Sequence, residues 1–138
     1  MSQSNTRVGD IRVLAGESLV GKEGYLVKMT HDGGVPEVKL PAAVTDYCVY
    51  VVIEGGADGA LVSVRPIEAG RTVRLKLKGA VVPGAVVVPA AIAGSDAGMV
   101  ITIPASATNR GLGIAEESGV DGQLVQVRPA SLGNITVA

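Results

Sequence analysis

One histidine and one cysteine are the chain's whole stock of imidazole and thiol chemistry. His31 sits in a glycine-rich turn, His31-Asp32-Gly33-Gly34. A catalytic triad needs the imidazole held between a nucleophile and an orienting acid, whereas a loop histidine needs neither. Cys48 stands alone, which excludes an internal disulfide and a cysteine-based metal site. Glu116 and Glu117 are adjacent, and neighbours on a strand point to opposite faces, so they make a poor acid/base dyad. Asp58 and Asp121 each precede a glycine, where Asp serves the turn itself. Gly55-Gly56 and Gly111-Leu112-Gly113 lack the following helix and lysine that a phosphate cradle requires. No zinc, calcium-loop or kinase spacing is present. The residues read as a protein that is not an enzyme and holds no cofactor or metal.

Charge gives more to work with. Glu54 and Arg65 flank one proposed hairpin, and Glu117 and Arg128 flank a second, so each pair is expected to bridge across its strands. The other reading is that Arg65 and Arg128 reach a carboxylate on a neighbouring subunit, where a two-pronged bond would set register. Arg71, Arg74, Lys76 and Lys78 place four of the chain's twelve cations in eight residues. They suit either an edge strand that resists unwanted pairing or a surface that docks on an acidic partner. Nucleic acid is not expected: net charge is −1 with an isoelectric point near 5.8, and stacking aromatics are absent from the basic stretch.

These groups hang on a phrase that occurs twice. Asp58-Gly59-Ala60-Leu61-Val62-Ser63-Val64-Arg65-Pro66 returns 63 residues later as Asp121-Gly122-Gln123-Leu124-Val125-Gln126-Val127-Arg128-Pro129. Across 40–66 against 103–129, twelve of twenty-seven positions are identical, which points to an internal duplication. In each copy Asp-Gly forms a turn, the valines alternate onto one face and Pro stops the strand. Upstream, Ala69-Gly70-Arg71 echoes Ala15-Gly16-Glu17 at an offset of 54, with Gly79 in the place of Gly24.

The apolar mass is Val, Ala, Leu and Ile, with no Phe or Trp, three Tyr, nineteen Gly and seven Pro. That composition favours many short strands around a thin, shared core. Tyr47 to Ile53 is the best candidate for a central strand buried on both sides. The Val/Ala-rich stretch 80–93 reads as an inner strand or, preferentially, an oligomer seam. At most a short helical turn is expected near Pro41–Asp46 and Pro104–Asn109. The expected fold is all-β: a flexible arm over 1–7, a first β repeat over 8–66 and a second over 67–138, sharing one compact unit. The polar start has no signal-peptide core, and the longest uncharged run, Gly79 to Ser95, is too interrupted for a membrane helix. A soluble protein made in the cytoplasm is expected.

Ala15-Gly16-Glu17, Gly24-Tyr25-Leu26-Val27, the Asp58–Pro66 phrase, Ala69-Gly70-Arg71, Gly79-Ala80-Val81-Val82-Pro83-Gly84 and Gly113-Ile114-Ala115-Glu116-Glu117 together resemble the capsid decoration (cement) proteins of tailed bacteriophages. The resemblance spans roughly 12–130 and rests on strand and turn phrases. It implies a structural virion protein, usually trimeric, that binds the major capsid protein on the outside of the head and bridges capsomers. Terminal arms in that family complete a neighbour's sheet or lie along the capsid. The residues expected to make capsid or subunit contacts are therefore Ser2, Gln3, Ser4, Asn5, Thr6 and Arg7 in the arm, with Arg65, Arg71, Arg74, Lys76, Lys78 and Arg128. Competing readings are a carbohydrate-binding or adhesin-like module, poorly served by three tyrosines, and a tail or spike-base subunit.

Overall fold

Alternating apolar residues build the first half into a tube. A computed structural model describes residues 9–90, 94–106 and 108–137. Strands β1 (Ile11–Ala15), β2 (Leu26–Asp32), β3 (Val35–Lys39), β4 (Tyr50–Glu54) and β5 (Leu61–Pro66) close into a barrel of order β1-β3-β2-β4-β5. Closure comes from β1, antiparallel to β5 and parallel to β3 through Leu14↔Glu37 and Ala15↔Val38. Val13, Ala15, Leu19, Val27, Val38, Val52, Val62 and Val64 fill the interior. None is larger than leucine, so the tube is narrow.

The second half repeats the plan. β6 (Val73–Lys76), β7 (Val86–Pro89), β8 (Val100–Thr102), β10 (Gly113–Ala115) and β11 (Leu124–Pro129) form a sheet of order β6-β11-β10-β7-β8. A 3₁₀ turn, Gly94–Asp96, precedes β8, and β9 (Thr108–Arg110) pairs with the last strand β12 (Asn134–Thr136). The pairing registers of the two halves coincide rung for rung. Tyr50↔Pro66 and Val52↔Val64 match Gly113↔Pro129 and Ala115↔Val127. Val13↔Val62 matches Leu75↔Val125, and Ala15↔Val38 matches the parallel bridge Leu77↔Val100. Gly24 N–H donates to Val52 O at 2.9 Å, as Gly84 N–H does to Ala115 O at 2.9 Å.

These rungs correct the upstream alignment. Ala15 is matched by Leu77 rather than Ala69, and Gly24 by Gly84 rather than Gly79. The echo Ala-Gly-Arg misled because short Ala/Gly phrases recur by composition, whereas a backbone rung fixes position. No helical turn forms at 41–46, where 42–46 makes bends and turns, and among the described residues the one 3₁₀ turn falls at Gly94–Asp96. The buried strand starts at Tyr50, not Tyr47, with Val51 and Val52 each 1% exposed on its two faces. In the 80–93 stretch, Val87 and Val88 are inner-strand residues with no exposure, while Val82 to Gly84 lie at the surface and 91–93 fall outside the described residues.

One difference between the halves joins them. In both, the first strand takes a rung from the third: Gly16 N–H to Val38 O, and Lys78 N–H to Val100 O, each at 2.9 Å. One step further along, the first barrel stays closed through Leu14↔Glu37. In the second, Lys76 N–H donates to Gly24 O (2.9 Å) and Gly98 O accepts from Leu26 N–H (2.8 Å). The segment 24–26 of the first lobe is thus spliced into the seam of the second. Leu26, Val51 and Cys48 follow it into a core with Leu75, Leu77, Val87, Val100, Val125 and Val127.

Candidate functional site

The arginines expected to bridge their own hairpins take other partners. Arg65 holds Asp10 with two bonds, Nε–Oδ1 at 2.7 Å and Nη2–Oδ2 at 3.2 Å. Arg128 holds Glu116, at 3.1 and 3.2 Å. Neither pairs with Glu54 or Glu117, and both expected pairs are corrected. A register shift between Val52 and Glu54 sets Glu54 beside Ser63, two residues short of Arg65, and its nearest cation is Arg12 at 3.9 Å. Glu117 lies beyond the end of β10, where its Oε1 accepts from Gln126 N–H at 2.9 Å and from Arg74 at 2.8 Å. The hydrogen bond from Arg65 holds the Asp10 carboxyl below its ordinary value, and Asp10 raises Arg65 in return. Exposed pairs of this kind contribute about 0.2–1 kcal/mol each.

The cationic strand is the end strand of the second sheet, with its outer side taken by the backbone of Gly24 and Val100. Leu75 and Leu77 turn inward and Arg74 and Lys78 outward. Two of the four cations are engaged within the chain, Arg74 by Glu117 and Lys78 by Asp96 at 3.5 Å, while Arg71 is exposed and Lys76 half-buried. Ser2, Gln3, Ser4, Asn5, Thr6 and Arg7 lie outside the described residues.

His31 is exposed and its Nδ1 accepts Gly34 N–H at 3.0 Å, so the imidazole braces the β2–β3 turn. The Cys48 thiol is buried, and that burial, with the charge of Asp46 second, pushes its pKa up to about 12. A thiol so protonated is a poor nucleophile. Among the described residues no cluster of three His, Cys, Asp or Glu offers a metal site, and no helix is long and apolar enough to cross a membrane.

A polar knot that sequence reasoning missed lies at the lobe junction. Asp46 Oδ2 takes three donors: Lys28 Nζ at 2.9 Å and the N–H groups of Ala42 at 2.7 Å and Ala43 at 3.0 Å. The Lys28 bond leads in holding this carboxyl below its ordinary value of 3.8, with the two backbone bonds adding to it. A carboxyl depressed in the folded state stabilises above the unfolded value and loses that contribution as pH falls through the folded one. Asp46→Asn is therefore expected to cost about 1–2 kcal/mol at pH 7 and to flatten the loss of stability below pH 3.8. Urea titrations at pH 7 and at successively lower pH test this; parallel acid limbs for variant and parent contradict it. The matching place in the second half holds Asn109, 3% exposed, whose Nδ2 has no partner among the described residues. Val88 there replaces Lys28.

Beside the knot is a recess between the lobes, about 270 Å³ in volume, lined by Tyr47, Cys48 and Val49 from the first and Arg110, Leu112 and Pro129 from the second. Arg110 N–H donates to Val44 O at 3.0 Å, and its guanidinium lies 3.9 Å above the Tyr47 ring.

The fold is that of a closed five-stranded β-barrel joined through a spliced seam to a five-stranded sheet of matching register. The same fold is found in the crystal structure of the head fiber gp8.5 N base of bacteriophage phi29, at a TM-score of 0.67 and 18% identity, covering 88% of this chain and 93% of that one. No protein-family model matches the chain, and no curated protein matches it.

Proposed function

We propose that the chain is a non-enzymatic structural protein of a phage virion, seated on the outside of the head through the major capsid protein, where it stabilises the shell by bridging capsomers. The observation that carries this reading is the shared all-β fold, over nearly the whole of both chains, with a protein named as a head-fiber base. The groups that would serve catalysis support it by having structural employment: His31 braces a turn and the Cys48 thiol is buried. The matching rungs of the two lobes support an internal repeat. Arg71 and Lys76, neither in an ion pair among the described residues, are the cations of β6 and its approach that remain for an acidic capsid surface. A trimer supplies grip by multivalency, since each weak contact raises the effective concentration of the next.

Co-sedimentation with purified heads of the same phage tests the reading. Saturable binding is expected, weakened by salt and by the double change Arg71→Glu, Lys76→Glu, and the bound heads should resist heating better than bare ones. Failure to co-sediment at micromolar concentration sinks it, and binding without added heat resistance leaves a fiber or spike base instead. A sugar-binding role is less well served. Tyr25 is buried, and Tyr47, the most exposed ring, already has one face under Arg110.

A further inference from the structure

We infer that the recess between the lobes is a docking pocket for a protein segment that presents a large apolar side chain beside a carboxylate. Single exposed apolar residues need no explanation, but Tyr47 (67% exposed) and Val49 (49%) stand together at a concave mouth whose floor is Cys48 and Leu112. An apolar rim around an apolar floor is the form of an anchor pocket. Its volume of about 270 Å³ falls just under the range of about 300–1,000 Å³ for drug-sized ligands, so it suits one side chain with its flanking backbone.

Arg110 gives the pocket its charge preference. Arg12, Arg65, Arg74 and Arg128 each lie against a carboxylate of this chain. Arg110 makes no ion pair among the described residues. Its guanidinium is instead stacked on Tyr47, and its backbone is tied to Val44 of the other lobe. A planar donor fork held in place by a ring has already lost the rotamer freedom that binding would otherwise cost. The group that meets such a fork is a carboxylate. A sugar is disfavoured because the guanidinium covers a ring face that would stack on it and the floor has few polar groups. This pocket stands apart from head binding through the basic strand, and neither reading depends on the other.

The test is a titration of the full ¹⁵N-labelled chain, followed by amide shifts, with the blocked dipeptides acetyl-Phe-Glu-amide, acetyl-Phe-Gln-amide and acetyl-Ala-Glu-amide. The Phe-Glu peptide is expected to shift amides of 47–49, 110–112 and 130–131, and to bind about ten-fold more tightly than either comparison. Arg110→Gln should erase the preference for Glu over Gln and leave the remainder of the spectrum in place. Val49→Ser, which removes apolar wall at the mouth without adding charge, should weaken the two Phe peptides. Equal affinity for the Glu and Gln peptides, shifts elsewhere, or no shifts would overturn the inference. So would N-acetylglucosamine shifting these amides where the peptides do not.

Discussion

Leu26→Ala is expected to cost about 3 kcal/mol and to loosen the second lobe before the first, although Leu26 belongs to a strand of the first. The side chain is fully buried and lies in the core with Leu75, Leu77, Val100 and Val125. Truncation removes its transfer free energy and leaves a cavity that small valines and leucines cannot close. Its N–H to Gly98 O and the neighbouring Gly24 O to Lys76 N–H are the rungs that substitute for closure of the second barrel. Urea melts should show the loss, and hydrogen exchange should place it: amides of β7, β10 and β11 accelerate more than those of β1 and β5. Leu61→Ala serves as control, since Leu61 is 56% exposed. Equal acceleration in both lobes would contradict the splice as the support of the second.

Gly55→Ala is expected to destabilise by about 3 kcal/mol or more. A Cβ there would run into the backbone carbonyl of Leu19, which neither turn can yield because Leu19 N–H is bonded to Gly56 O at 2.8 Å. The matching residue in the second half is Ser118, at the surface, so Ser118→Ala should change stability by no more than about 0.5 kcal/mol. The pair of melts isolates the contact: similar losses in both variants would mean that the turn, not the close approach, is what matters.

The all-β class, the inward valines at 62, 64, 125 and 127 and the inward leucines 75 and 77 were legible in the sequence. They rest on alternation, which a strand imposes residue by residue. The ion pairs were not legible. Arg65 meets Asp10 because β1 lies antiparallel to β5 with Ile11 opposite Val64, a pairing between strands about fifty residues apart that no local spacing announces. The Asp46 knot was hidden because its three donors come from a distant strand and from backbone groups. The Tyr47–Arg110 stack joins residues 63 apart in sequence, at positions that correspond in the two halves. Comparing what corresponding positions carry was the one signal that would have found it.

The spliced seam also sets the molecule's capacity for exchange. A barrel that admits a neighbour's backbone between its strands is a template for endless head-to-tail addition. Here the first barrel is shut by its own hairpin, and the opening in the second is filled by the first. Both slots are saturated within one chain. Growth by strand insertion at these seams is therefore arrested at two units.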